Sequence, residues 1–153
     1  MKKIKKDYRL YRYLLIAFSA LGIGAMVYLS LSFSFNIIPQ NSCSVYNTTV
    51  DCGKVIASPY STLFGISLYD YGIVFFSVMF ALSGIHAFFI KNKKTKYFLY
   101  AIFTLSLLGA AAAFYLIYLE IFKIGAICLL CTIGHASIFA MLTVSAYLLR
   151  KKL

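Results

Sequence analysis

The segment YLLIAFSALGIGAMVYLSLSFSF, residues 13–35, decides the fold because it contains no charged residue over its whole length. About 20 consecutive apolar residues in a helix are enough to cross the hydrocarbon core of a bilayer. The run is longer than the apolar core of about 7–15 residues in a signal peptide, and no A-x-A-like cleavage site precedes Asn36. We therefore predict that residues 13–35 form a retained transmembrane helix.

Three further apolar runs follow in the 153-residue chain. Together the four runs predict transmembrane helices at about 13–35, 68–90, 97–119 and 126–149, with a polar loop at 36–67. Charged residues make up only 12% of the chain and hydrophobic residues 62%, whereas soluble domains contain about 25% charged residues. This composition excludes an ordinary soluble domain, a disordered chain and a free-standing nucleic-acid-binding domain. We predict an all-α membrane protein, a four-transmembrane-helix bundle in which residues 1–153 form a single membrane domain.

The distribution of positive charge predicts the orientation of these helices. Lys and Arg number six in residues 1–12, four in 91–96 and three in 150–153, but only one each in 36–67 and 120–125. Positive residues are enriched in the cytoplasmic loops of membrane proteins. We therefore expect a multi-pass protein of the plasma membrane with both termini in the cytoplasm. The formal net charge of +11 then follows from topology and requires no nucleic-acid partner.

The cysteines lie near the predicted outer face, two in the outer loop and two at the start of the last span. They are Cys43, Cys52, Cys128 and Cys131. Four interpretations are open: two static disulfides, a four-thiolate zinc site, unpaired thiols, and a redox relay. Zinc is disfavoured because the first pair is spaced more widely than the usual two to four residues. A C-x-x-C pair at a helix start favours the relay, because the helix N-terminus lowers the pKa of the first cysteine.

A redox pair inside a membrane needs an electron acceptor. The sequence has no dinucleotide-binding fingerprint. Haem attachment would require His directly after C-x-x-C, but Thr132 stands there. A quinone is the two-electron acceptor available in a bilayer, and it needs an apolar slot with a polar group near its carbonyl oxygens. His135 lies four residues after Cys131, one helical turn deeper on the same face. An ionisable residue inside a span is a functional candidate, although His135 could instead bond a neighbouring helix.

In combination these features resemble the vitamin K epoxide reductase family. The resemblance rests on the order of the two cysteine pairs, on CGKVIASPYSTLFGISLYDYG at 52–72 and on CLLC at 128–131. It implies a four-helix bundle around a quinone, capped by the outer loop and a short half-helix near 55–63. It also implies thiol:quinone oxidoreductase activity without a metal. Animal members reduce vitamin K epoxide and quinone, and prokaryotic members oxidise a thioredoxin-like partner so that exported proteins gain disulfides.

The same resemblance implies roles for single residues. Cys43 and Cys52 would form the shuttle pair, and Cys128 and Cys131 the pair beside the quinone. That quinone would be a menaquinone, a ubiquinone or a vitamin K type. Ser58 matches a family serine close to the active-site cysteines, and its alternative role is to cap the half-helix.

The sequence also departs from the family pattern. Many prokaryotic members carry a fused thioredoxin-like domain, whereas here only RKKL follows the last span, so we expect a thioredoxin-like partner in trans. His135 stands where the animal enzymes have Tyr, and Leu68 where they and some bacterial homologues have Asn. Asp70 could replace that Asn, although Ser67 and Asp70 also form a helix capping box. The candidate quinone-binding residues are thus Cys131, His135, Asp70 and Leu68.

Together with this resemblance, the sequence predicts a membrane thiol-disulfide:quinone oxidoreductase that supports disulfide-bond formation in exported proteins or reduces a vitamin K-type quinone or epoxide. The alternative is a non-enzymatic membrane scaffold or small transporter whose cysteines form static disulfides. The unrelated bacterial quinone-reducing disulfide generator also has four spans and two cysteine pairs. It carries C-x-x-C early in the chain, whereas here C-x-x-C comes last.

Overall fold

The computed structural model of the chain describes residues 2–35, 49–88 and 95–152. The α-helices described there are α1 (Lys2–Phe33), α2 (Cys52–Ile56), α3 (Leu68–Phe88), α4 (Thr95–Tyr118) and α5 (Leu129–Lys152). Between α2 and α3 lie a 3-10 helix (Pro59–Ser61) and an antiparallel hairpin of β1 (Thr62–Leu63) and β2 (Ile66–Ser67). A π-helix (Leu119–Ile124) extends α4.

Four of these helices are long and apolar enough to cross a bilayer, as predicted. Their apolar stretches are Arg9–Phe33, Leu68–Phe88, Lys96–Ile124 and Leu129–Lys151. Such runs must be helical because no water is present in the bilayer core to bond the backbone. α1 packs against α3 and α5, and α4 packs against the same two helices, so the helices form a closed bundle. The predicted four-helix membrane bundle is confirmed.

The third span is longer than predicted. The spans predicted at 97–119 and 126–149 left residues 120–125 as a short connector. Instead the helix continues through Glu120 and Lys123 as a π-helix and ends only at Gly125. The φ of Gly125 is 66°, a left-handed conformation that glycine adopts readily and that commonly ends helices. The longer helix matters for the site because it places Glu120, which was expected in a connector, inside the bundle with 6% of the residue exposed.

Small residues allow α4 to approach its neighbours closely. A Cβ atom at Gly109 would lie 2.8 Å from Cζ of Phe75 in α3 and 3.3 Å from Cγ2 of Ile138 in α5. Ala110 and Ala113 of the same helix are buried. The run of one glycine and four alanines in the sequence predicts such a contact face, and the structure confirms it.

The outer segment before α3 is not the single half-helix near 55–63 that the resemblance implied. The short helix α2 begins at Cys52 and ends at Ile56. Ser58 has an extended backbone (φ −69°, ψ 152°) because the residue before a proline disfavours the helical conformation. Pro59 then starts the 3-10 helix, and the hairpin leads the chain into α3. The segment that caps the bundle therefore consists of several short elements, and Ser58 lies between α2 and the 3-10 helix.

The end of the outer loop is hydrogen-bonded to the segment that leads into α5. The backbone N–H of Asp51 donates to the carbonyl of Ile127 (3.1 Å), and the N–H of Ile127 donates to the carbonyl of Thr49 (2.8 Å). The parallel bridge pairs Val50, two residues before Cys52, with Ile127, the residue directly before Cys128. It therefore holds the loop cysteine and the C-x-x-C pair at the same end of the bundle.

Candidate active site

Cys128 occupies the N-cap position of α5. Its carbonyl accepts the N–H of Thr132 (2.9 Å), and its sulfur accepts the backbone N–H of Cys131 (3.2 Å), the bond that a Ser or Asp side chain makes at an ordinary N-cap. The hydrogen bond from the Cys131 thiol lowers the pKa of Cys128, and the backbone N–H bond adds to this effect against burial, which acts in the opposite direction. The geometry thus favours the thiolate at Cys128, the form that reacts in disulfide exchange.

The described cysteines differ in redox state. Cys52 is disulfide-bonded, whereas Cys128 and Cys131 are free thiols. Cys43, the other predicted shuttle cysteine, lies outside the described residues. Cys52 and Cys128 are both 0% exposed and belong to the same buried core. Among the described residues, His, Cys, Asp and Glu side chains do not form a group of three that could hold a metal ion.

A cavity that is partly open to its surroundings lies beside the second cysteine of C-x-x-C. All four spanning helices and the outer segment contribute to its walls, which are mostly aliphatic. Four residues predicted at the site line it, namely Ser58, Leu68, Cys131 and His135. The other polar or titratable lining residues are Tyr60, Ser61, Tyr69 and Glu120. The structure thus brings most of the predicted quinone-side residues to one apolar space.

His135 is the polar residue deepest along α5 in this cavity. Its imidazole is 8% exposed, and its Nδ1 has no hydrogen-bond partner among the described residues. Leaving a buried polar atom unbonded costs about 1–3 kcal/mol. A ligand with carbonyl oxygens in the cavity would satisfy this nitrogen, and an apolar slot with such a polar group is what a quinone requires. The residues present therefore fit a quinone.

Ser58 lies between the cavity and the short helix α2. Its hydroxyl donates to the carbonyl of Val55 (2.6 Å) and thereby closes the last turn of α2. The Ser61 hydroxyl donates to the carbonyl of Ser58 (2.8 Å), which ties the 3-10 helix to the same point. Ser58 thus acts as a cap and also faces the cavity, while its part in the chemistry stays a prediction.

The start of α3 contributes Leu68 but not Asp70 to the cavity lining. α3 begins at Leu68, directly after Ser67, where the capping-box pattern predicts a helix start. Tyr69, the residue between Leu68 and Asp70, also lines the cavity, and its hydroxyl shares a 2.7 Å hydrogen bond with Oγ of Ser34. A contact between Asp70 and the quinone stays a prediction.

Glu120 lines the cavity although its sequence position indicated a connector. Its Oε2 accepts the backbone N–H of Cys128 (3.4 Å), so the carboxylate bonds the first residue of C-x-x-C. The available sequence signal was a single acidic residue in the apolar stretch YLIYLEIF, residues 115–122. The π-helix that directs it inward has no comparable signature in the sequence.

A family model described as "Vitamin K epoxide reductase family" matches residues 13–146. The matched range includes the four cysteines and every residue that lines the cavity. Among curated proteins, no relative matches the chain.

Proposed function

The chain belongs to the vitamin K epoxide reductase family, and from this premise we propose that it is a membrane thiol:quinone oxidoreductase that takes electrons from a thioredoxin-like partner. Such an enzyme supports disulfide-bond formation in exported proteins. The observation that carries the proposal is the apolar cavity lined by both Cys131 and His135. A free thiol and a buried ring nitrogen that has no hydrogen-bond partner within residues 2–35, 49–88 and 95–152 thus line the same space.

The first step of the proposed route is thiol-disulfide exchange at the outer face. A dithiol of the partner attacks the disulfide of the loop pair, Cys43 and Cys52, and leaves as a disulfide. The freed thiolate of Cys52 then attacks Cys128 in the Cys128–Cys131 disulfide and releases Cys131. Attack by Cys43 on Cys52 finally re-forms the loop disulfide and leaves Cys128 and Cys131 reduced. The burial of Cys52 and Cys128 in one core supports this order.

The second step returns Cys128 and Cys131 to the disulfide. Two electrons and two protons leave the two thiols, and the quinone in the cavity supplies the two-electron oxidant and is released as the quinol. Cys131 supports this step because it lines the cavity, and Cys128 supports it because its N-cap position favours the thiolate. His135 offers a hydrogen bond to an oxygen of the bound quinone.

The charge distribution supports an orientation in which these cysteines face outward. With both termini in the cytoplasm, the outer loop and the start of α5 lie on the extracytoplasmic side of the plasma membrane. Disulfides persist in that oxidising compartment. The thioredoxin-like partner then acts in trans at the outer surface.

The proposal is tested by quinone reduction with purified protein and a thioredoxin-like dithiol as donor. We expect turnover with the partner, and loss of this turnover when either Cys43 or Cys52 is replaced by Ala. A small dithiol that reaches Cys128 directly should still support activity in both variants. Acid-quenched thiol trapping of the resting protein should find mixed redox states of the four cysteines. No turnover together with fully oxidised cysteines would indicate a scaffold with static disulfides.

A further inference from the structure

Glu120 is a buried carboxyl group to which the proposed route assigns no task. Its carbonyl accepts the backbone N–H groups of Gly125 and Ala126, the latter at 3.2 Å, and its Oε2 accepts the N–H of Cys128 at 3.4 Å. Both its backbone and its side chain are therefore fixed at the junction of the π-helix and α5. Glu120 is 6% exposed, and among the described residues that line the cavity it supplies the one carboxyl group.

The position of Glu120 complements that of His135. Glu120 bonds the backbone of Cys128 at the outer end of α5, whereas His135 lies seven residues further along the same helix. Seven residues of helix correspond to a rise of about 10 Å. Cys131 lies between these two levels and lines the same cavity. Along α5, the cavity therefore has a carboxyl group near the level of Cys128 and an imidazole at the level of His135, and the Cys131 thiol lies between them.

Reduction of a quinone by a dithiol requires two protons as well as two electrons. Re-forming the Cys128–Cys131 disulfide releases two thiol protons, and the product needs one proton on each of two oxygens at opposite ends of its ring. A single group beside Cys131 can serve only the nearer oxygen. A carboxyl group near the outer end and an imidazole at the deeper end would together serve both oxygens.

We propose that Glu120 is the proton carrier at the outer end of the cavity, which takes a proton released by the Cys128–Cys131 thiols and passes it to the nearer quinone oxygen. This inference rests on the proposed quinone reduction. The carboxylate is protonated by the thiol and deprotonated again within each turnover, so that atoms and charge balance. The bond to the Cys128 backbone holds the carboxylate at the first residue of the redox pair.

The decisive variant is Glu120→Gln, which keeps the size of the side chain and an oxygen that accepts the Cys128 N–H but cannot carry a proton. General acid–base catalysis typically contributes 10²–10⁴-fold, so we expect kcat for reduction of a short-chain ubiquinone to fall by about 100-fold. The KM for that quinone should stay within about threefold, because no binding contact is lost. Glu120→Asp retains an acid and should recover most of the rate. Lys123→Gln removes a charge from an exposed position of the same π-helix and should leave the rate unchanged.

A second readout needs no quinone. The Glu120 carboxylate raises the pKa of Cys128 by its charge, so Glu120→Gln should shift the thiolate ultraviolet titration of Cys128 to lower pH. The background is the Cys43→Ser, Cys52→Ser protein, in which Cys128 and Cys131 are the remaining thiols. The other ionisable side chains on the elements that meet here stay unchanged in this comparison: Asp51, Lys54 and Tyr60 of the outer segment, Tyr69 of α3, Lys123 of the π-helix and His135 of α5. An unshifted titration would show that no charge at Glu120 acts on the pair.

The outcomes separate this inference from the proposed function. If the unmodified protein reduces no quinone, the proposed function fails and this inference fails with it. If the unmodified protein is active and Glu120→Gln matches it, only the proton-carrier role is wrong, and Glu120 merely caps α5. If Glu120→Gln also loses reduction of the Cys128–Cys131 disulfide by dithiothreitol, the residue positions the cysteines and the inference is again overturned. Should Glu120→Gln fail to fold, a 100-fold loss in Glu120→Asp would equally contradict it, because the acid is retained.

Discussion

At the scale of single residues, the N-cap position of Cys128 favours the thiolate form of this cysteine. The first cysteine accepts hydrogen bonds from the second, and the second faces the cavity. In the proposed route, Cys128 exchanges with a protein cysteine and Cys131 reacts beside the quinone. This difference follows from the direction of the helix, because only the first backbone N–H groups of a helix have no partner within it and can bond a side chain such as that of Cys128.

We predict that Cys131→Ala shifts the pH profile of Cys128 alkylation to higher pH. The hydrogen bond from the Cys131 thiol lowers the pKa of Cys128, so the thiolate forms at lower pH than in a free cysteine, and removing the donor reverses part of this effect. The measurement is the iodoacetamide rate at Cys128 across pH, followed by mass spectrometry. Thr132→Val, which removes a hydroxyl that donates to the Cys128 carbonyl rather than to its sulfur, serves as the control. Identical profiles with and without Cys131 would contradict the assigned cause.

We predict that His135→Leu slows quinone reduction without affecting exchange between the loop and Cys128. A hydrogen bond to an oxygen that gains negative charge during reduction is worth about 2–3 kcal/mol, or roughly 10²-fold in rate. His135→Tyr restores a donor and should retain much of the activity, whereas Cys131→Ala should stop quinone reduction. Quinone reduction in the three variants, with thiol trapping alongside, tests this. Full activity of His135→Leu would mean that the imidazole only packs.

At the scale of elements, the fit of α4 against α3 and α5 depends on Gly109. We predict that Gly109→Ala destabilises the bundle by about 1–3 kcal/mol, because the new methyl group would lie 2.8 Å from Phe75 Cζ and 3.3 Å from Ile138 Cγ2. Gly84→Ala is the matched control, since a Cβ there meets no atom within 4 Å. It should be neutral or stabilising, because Ala is the better helix former. Thermal unfolding followed by circular dichroism in detergent measures both, and equal melting temperatures would refute the prediction.

At the scale of the whole molecule, the distribution of positive residues predicts the orientation of the bundle in the membrane. We predict that a topology reporter at residue 50 is active outside the cell and that reporters at residues 93 and 153 are active inside. The physical reason is that Lys and Arg are retained on the cytoplasmic side during insertion. A reporter at residue 153 that is active outside would overturn the four-span orientation. The outer position of residue 50 would place Cys52 and its neighbours where the partner must act.

The sequence by itself determined the features that depend on local chemistry. Continuous apolar runs of about 20 residues form helices in a bilayer, because a helix satisfies all of its backbone hydrogen bonds within the segment. The four-residue spacing of Cys131 and His135 likewise put both on one helix face, and both line the cavity. Pro59 in the outer segment was an equally local signal, and it explains why α2 ends where it does.

Only the tertiary structure decided which distant residues share the cavity. Its walls come from four spans and from the outer segment. Met26 and His135, for example, both line it although they are far apart in the sequence. Glu120 shows the limit most clearly: its charge indicated a connector, but the π-helix and the left-handed Gly125 carry it into the bundle beside Cys128. The end of this helix depends on which residues of the packed bundle donate hydrogen bonds to the Glu120 carboxylate and to its backbone carbonyl. The local sequence does not specify those donors.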